Sequence, residues 1–272
     1  MFFATKPFST GIFGSNDGAD IAAVGEVTIE RQQLRDELEQ RYGKEVLRDL
    51  IDEEVIVQTA DKYGISVSDE ELELDMNFIK AKYGSYDQQY LISDNWEEDI
   101  KQHILLEKLL VQYVVINESS VQAAYNKNKE QYEIPKTLHI SHIVVETKKQ
   151  AEKLYKELQD GSSFSVLAME QSIDTVTATD GGDLGYINKN QTRLPESYFE
   201  QASKMKKDSY SKPIKVDEGY AILFLHEIIK EKSYSFKEVK SMIERQLAVE
   251  EIGVALSAEY FWDESEVEWK YE

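Results

Sequence analysis

From residue 28 to residue 132 the chain carries helix signals almost without a break, and from 136 to 231 it does not. This change of period constrains the fold more than any other feature. A helix shows one apolar stripe at spacings of three and four, a half-buried strand alternates in twos, and one segment cannot satisfy both. A chain with two such regions is expected to combine a helical layer with a mixed α+β unit.

The helical stretch has its own punctuation. IAAVGEVTI (21–29) alternates and reads as a short strand with Gly25 at a turn. TIERQQLRDELEQRY (28–42) reads as a helix opened by Thr28 and interrupted at Gly43, and KEVLRDLIDEEVIVQTADKYG (44–64) as a second helix closed by Gly64. Ser68, followed by three acids with Glu71 at the third helical position, predicts a capping box for a helix within 66–84. Further helices are expected over 95–115 and over 118–132, the latter entered at Ser119 or Ser120, before Pro135 ends the run. His103 reads as a helix-surface or interface residue rather than a ligand.

KTLHISHIVVE (136–146) alternates and is β-branched, so it reads as a strand. Helices over 148–161 and 163–172, a turn and strand at GGDLGYI (181–187), a helix over 194–205 and a strand–turn–strand over 212–231 complete a β-α-α-β-α-β-β unit. Residues 236–263 return to a long helix, which would be marginal alone and is expected to pack back on the helices of 28–132. The helical domain is then discontinuous, 20–134 plus 234–272, with an α+β domain over 135–233 inserted in it. EVEWKY (266–271) alternates and is expected to pair with the first short strand.

Charge follows the same division. The net charge is −21; residues 1–136 hold 27 acidic and 14 basic groups, and residues 137–230 hold 14 and 12. A near-neutral module set in an acidic frame argues against nucleic acid as a partner. The chain has no cysteine, which removes disulfides and thiol chemistry. No apolar run approaches the roughly eighteen residues of a membrane span. MFFATKPFSTGIFGSNDGAD is no convincing signal peptide and reads as a loose leader or the remnant of a longer N-terminus.

Two of the four histidines lie in HISHIVV (139–145). A spacing of three puts His139 and His142 on opposite faces of a regular strand. A zinc site would need cysteine or further histidines at suitable spacing, so no metal is expected. GGDLG lacks the lysine of a phosphate-binding loop and reads as a turn, with Gly181, Gly182 or Gly185 at positive φ.

HISHIVV, GSSFSVLAMEQSID (161–174), GGDLGYI, YFEQA (198–202), SKPIKV (211–216) and EGYAILFL (218–225) follow one another in order. In this order they resemble the parvulin family of peptidyl-prolyl isomerases. VGEVTIERQQLRDELEQRYG and GISVSDEEL are similar to the helical frame of extracytoplasmic foldases of the PrsA and SurA types. The resemblance implies a parvulin-like domain inserted in a chaperone-like helical domain. It puts the first site histidine on His142 and the cysteine-or-aspartate position on Asp174. Leu184 would line the proline cup, and the pocket phenylalanine falls on Phe199. The pocket methionine falls on Thr192, smaller and more polar, and the second histidine falls on Ala221. His226 lies five residues beyond, on the opposite strand face.

The two departures weaken the paired imidazoles and the pocket wall. Three readings stay open: a foldase with isomerase activity, a catalytically impaired chaperone or peptide-binding module, and a dimeric scaffold. Likewise His142 is either a site residue or a buried strand histidine, Phe199 either pocket or plain core, and His139 structural or exposed. The resemblance further implies unfolded or proline-containing polypeptide clients, no cofactor and an extracytoplasmic location. It leaves room for a homodimer and for membrane attachment through a missing N-terminal segment.

Overall fold

The computed structural model describes residues 20–83, 95–190 and 194–270. The leader before residue 20, and Thr192, lie outside the described residues. By contact, the described residues up to Thr59 together with those from Ala258 onward form one compact unit, and those of Ala60–Ser257 form a second.

In the first unit, β1 (Asp20–Val24) and β2 (Val27–Glu30) form a hairpin. Gly25 sits at its turn with φ 64°. Pairing with β1 draws Thr28 into the strand, so Thr28 does not open the helix. α1 (Arg31–Tyr63) starts after Glu30, whose N–H donates to Gln33 Oε1 at 2.9 Å. The helix also runs unbroken through Gly43. A mid-helix glycine costs only about 1 kcal/mol, too little to divide a helix of this length. Residues 266–270 form no strand. Instead Trp262 stacks on Trp269 at 5.7 Å, Trp262 Nε1 donates to Asp52 Oδ1 at 2.7 Å, and the Val267 N–H donates to the Trp262 carbonyl at 3.1 Å. Arg48 pairs with Glu259.

At the end of α1, Gly64 takes φ 66°, and the N–H groups of Gly64 and Ile65 close on the carbonyls of Asp61 and Ala60. α2 (Asp69–Tyr83) carries the expected box, with Ser68 N–H to Glu71 Oε2 at 3.1 Å and Glu71 N–H to Ser68 Oγ at 3.2 Å. α3 (Trp96–Val111) and α4 (Glu118–Lys127) follow. α4 is capped by Asn117 rather than Ser119 or Ser120. Asn117 Oδ1 accepts from the Ser120 N–H and from both serine hydroxyls, so the serines serve the cap instead of forming it. A short 3₁₀ turn covers Lys129–Tyr132.

β3 (Glu133–Ile134) leads into β4 (Thr137–Val145), α5 (Lys148–Gln159), α6 (Phe164–Gln171) and the single turn α7 (Thr175–Ala178). Then come β5 (Asp183–Asn188), α8 (Glu196–Ala202), β6 (Ser209–Tyr210), β7 (Ile214–Val216), β8 (Gly219–Ile229), β9 (Lys232–Ser233) and α9 (Phe236–Ile252). β5, β4, β8 and β6 pair in that order and β7 also pairs with β8, all antiparallel. β3 pairs with β9 and so ties together the two ends of the β-rich segment.

The central sheet buries both faces. On the front, Leu138, Ile140, Val144, Ala221, Leu223 and Leu225 pack with Tyr198 and Ala202 of α8. On the reverse, Ile143, Val145 and Ile222 pack with α5 and α6 through Ala151, Leu154, Leu158, Leu167 and Ala168. A third core joins Val121 and Tyr125 of α4 to Val239, Met242 and Ile243 of α9. α9 thus packs on the earlier helices, and its buried Arg245 donates to Asp75 on α2 and to Glu107 on α3 at 2.7–2.8 Å. His103 is an ion-pairing residue of that frame, 3.3 Å from Glu107 one helical turn on, a partner its i+4 spacing already offers.

Candidate active site

β5 pairs with β4 only as far as Ser141, and beyond that point the edge of β4 is taken over by loops. The His142 N–H donates to the Gly182 carbonyl at 2.8 Å. Gly182 holds φ 79°, and a Cβ there would lie 2.0 Å from the His142 carbonyl oxygen, so only glycine permits the approach. After α6, the Ile173 N–H donates to the Val144 carbonyl at 2.8 Å and Ser172 Oγ accepts from the Val144 N–H at 3.2 Å. These two bonds deliver Asp174, the next residue, to His142.

Asp174 Oδ2 lies 2.7 Å from His142 Nε2. The carboxylate also caps α7, with Oδ1 accepting from the Val176 N–H at 3.2 Å and Oδ2 accepting from the Thr177 hydroxyl at 2.7 Å. Burial pushes the Asp174 carboxyl upward, but the bonds from Thr177 and His142 outweigh it and hold the group below its ordinary range. An ionised carboxylate only accepts, so Nε2 of His142 carries a proton. His142 is buried, 6% exposed, and burial lowers its pKa despite the opposing pull of Asp174. At neutral pH the pair is therefore a neutral imidazole hydrogen-bonded to a carboxylate. The other ring nitrogen, Nδ1, lies 2.9 Å from the Tyr198 hydroxyl.

The residues expected from sequence fall into two groups. His142 and Asp174 touch. Leu184, Phe199 and Ala221 belong to the front apolar cluster, Leu184 and Ala221 buried and Phe199 at its partly exposed margin. Thr192 is the one candidate outside the described residues. Ser172, Thr177 and Tyr198 were not among the expected site residues. Asp174 had a local signal as a helix N-cap residue, and Thr177 is the third residue of the turn that it caps. Tyr198 had only its place beside Phe199.

His139 and His226 face the reverse side. His139 Nε2 lies 2.9 and 3.0 Å from the two Asp183 carboxylate oxygens, and His226 Nε2 lies 2.6 Å from Ser141 Oγ. The His139 ring stacks between His226 at 4.5 Å and Tyr186 at 4.7 Å. His226 packs against His139 on the reverse face, away from Ala221 in the front cluster, where the resemblance would put a second imidazole. Among the described residues no three His, Cys, Asp or Glu side chains converge to hold a metal ion.

The PPIC-type PPIASE domain matches residues 116–241. The "Putative peptidyl-prolyl cis-trans isomerase YacD" of Bacillus subtilis (strain 168) is 38% identical over 259 residues, 94% of this chain and 87% of that protein. The foldase protein PrsA of Geobacillus kaustophilus (strain HTA426) is 35% identical over 235 residues, 84% of this chain and 78% of that protein. A crystal structure of PrsA from Bacillus subtilis aligns with 94% of this chain and 96% of its own at 25% identity, with a TM-score of 0.37. The histidine–carboxylate pair beside an apolar cluster sits in a parvulin-type domain. The chain belongs to the PPIC-type peptidyl-prolyl cis-trans isomerase family and is homologous to the PrsA foldases.

Proposed function

We propose that this protein is a peptidyl-prolyl cis–trans isomerase and foldase that acts on proline-containing, incompletely folded polypeptides outside the cytoplasm. The observation that carries the catalytic part is the 2.7 Å His142–Asp174 pair set against a cluster containing Leu184 and Phe199. The reaction breaks no bond. Its barrier, about 18–20 kcal/mol, is the loss of amide resonance as the peptide twists. A catalyst needs an apolar seat for the proline ring and polar groups that suit the twisted amide better than the planar one. Leu184 and Phe199 are suited to the seat, and Ala221 adds little bulk to it. His142 and Asp174 supply the polar side, held in place by the backbone bonds His142 N–H to Gly182 and Ile173 N–H to Val144. The reaction itself calls for no cofactor.

Residues 135–233 are the isomerase domain in this reading, and 20–134 with 234–272 are the chaperone-like frame. The return of α9 onto α3 and α4 supports that division. Homodimerisation belongs to the same proposal and is tested by sedimentation equilibrium over a dilution series. Membrane attachment through a further N-terminal segment is tested by the full upstream coding sequence.

The alanine at 221 favours a second reading, in which the domain grips peptides without turnover. A protease-coupled assay on a proline tetrapeptide separates the two. The isomerase reading expects turnover above background that falls in His142→Ala, Asp174→Ala and Phe199→Ala. No rate above background at high enzyme concentration overturns it. Suppressed aggregation of an unfolded client, unchanged by those substitutions, then supports the gripping reading.

A further inference from the structure

We infer that Tyr198 is the positioning residue of this site, its hydroxyl doing for His142 what a second imidazole at position 221 would do. The inference starts from a proton count. Nε2 of His142 gives its proton toward Asp174, so Nδ1 presents a lone pair. The Tyr198 hydroxyl at 2.9 Å therefore donates to Nδ1. The imidazole is held at both nitrogens, as an acceptor on one and a donor on the other, and only one tautomer fits both bonds.

Burial makes the bond matter. Tyr198 is 2% exposed, and among the described residues its hydroxyl has His142 Nδ1 as its one hydrogen-bond partner. A buried hydroxyl that served packing alone would be costly, and phenylalanine would fill the same space without it. The rings also meet edge to face, with centroids 5.6 Å apart at 75°.

The position of Tyr198 in the chain adds a coupling that an imidazole on β8 would lack. Tyr198 is the residue before Phe199, on a helix fixed at both ends. The Tyr198 N–H donates to the Pro195 carbonyl at 2.9 Å, and Lys136 Nζ donates to the Ser203 carbonyl at 3.0 Å. The helix that carries the apolar wall therefore also sets the orientation of the imidazole. Ala221 and His142 lie on the same sheet face, where β8 and β4 pair Ala221 with Val144 and Leu223 with His142. The tyrosine thus reaches the imidazole from the layer above that face.

The effect on turnover rests on the isomerase reading, but the hold on the tautomer does not. Two measurements on the full chain separate them. Long-range proton–nitrogen spectra of the histidine rings are expected to show His142 protonated at Nε2, with an Nδ1 signal moved away from the unbonded imine value. In Tyr198→Phe that signal returns toward the unbonded value, and the ring titrates at higher pH because the neutral form has lost a donor. Loss of one such bond is expected to lower kcat/KM on a proline tetrapeptide roughly tenfold, mostly in kcat.

An unchanged Nδ1 signal and titration curve in Tyr198→Phe overturn the inference. So does a changed signal with wild-type kcat/KM. A wild-type protein with no turnover overturns the isomerase reading alone, and the spectra still decide what Tyr198 does. If Tyr198→Phe fails to fold, 3,5-difluorotyrosine placed at 198 keeps the shape and makes the hydroxyl more acidic. The Nδ1 signal must then shift further from the unbonded value, and no shift overturns the inference.

Discussion

The two faces of the central sheet carry nearly the same side chains to different ends. Each presents a β4 histidine within 3 Å of an aspartate, three residues apart in sequence. On the reverse face the ring of His139 is covered on both sides, by Tyr186 and by His226. On the front face His142 meets Tyr198 only edge to face, and its aspartate arrives from outside the sheet on the turn that opens α7. A histidine–aspartate pair therefore says little by itself. The two pairs differ in what stacks on the ring and in what delivers the carboxylate, and not in openness, since the His139 side chain is 23% exposed and that of His142 8%.

The largest break of this comparison comes at the backbone of the front face. Gly182→Ala would bring a Cβ to 2.0 Å of the His142 carbonyl at a φ that alanine tolerates poorly. It is expected to cost about 2–4 kcal/mol in chemical denaturation, as a clash and a strained backbone at once. Peptide turnover is expected to disappear with it.

Exchanging one carboxylate at a time sharpens the contrast. Asp174→Asn removes a charged acceptor from His142 and is expected to lower kcat/KM by roughly ten- to a hundredfold, the worth of one charge-assisted bond. Asp183→Asn removes the equivalent acceptor from His139. It is expected to cost about 1–2 kcal/mol of stability and to leave kcat/KM within roughly twofold. Equal effects of the two on turnover would remove the distinction between the faces.

Acid tests the faces against the helical frame. Burial lowers the pKa of His142, and burial followed by the charge of His139 lowers that of His226. Unfolded histidines take up protons near pH 6.5. Between that pH and the lower folded values the unfolded chain binds more protons, so stability falls as pH falls. His103 has the opposite sign: its bond to Glu107 raises its pKa. Its contribution is complete below the unfolded pKa and is lost as pH rises through the folded one. Denaturation midpoints between pH 7.5 and 5.5 are expected to flatten in His226→Gln and to steepen in His103→Gln. The reverse pattern would contradict the lowered pKa of His142 and His226 and the raised pKa of His103.

The split between the faces was legible in HISHIVV, because alternation alone separates 138, 140, 142 and 144 from 139, 141, 143 and 145. Ser68 and Glu71, and the glycines of GGDLG, were legible for a similar reason: each is a local rule with a local partner. The misses have physical causes as well. Asn117 outcompeted two good capping serines because one carboxamide oxygen can collect three donors. Residues 266–270 alternate, yet stacking of Trp262 on Trp269 takes that segment, and β1 already has a partner across the Gly25–Glu26 turn of its own hairpin. Tyr198 lies 56 residues from His142, and no periodicity within a single element reports a contact at that distance.

The smallest change probes how tightly the front carboxylate is held. Thr177 donates to the same Asp174 oxygen that receives the His142 proton, and its Oγ1 lies 3.2 Å from His142 Nε2. Thr177→Val keeps the shape of the side chain and removes that donor. Asp174 then loses one of the bonds that hold its pKa down against burial, so its pKa is expected to rise. A hydrogen bond to a carboxylate is worth about 1.5–3 kcal/mol. Asp174 keeps its bonds from His142 and the Val176 N–H, so only part of that reaches the reaction and kcat/KM is expected to fall only a few-fold at pH 7. The larger signature is in the pH profile. A carboxylate protonated at higher pH moves the acid limb of activity upward, whereas a change in packing alone lowers the whole profile and leaves the limb in place. A profile that scales without shifting would mean that Thr177 only caps α7 and that the Asp174 charge is secured by His142 and the backbone.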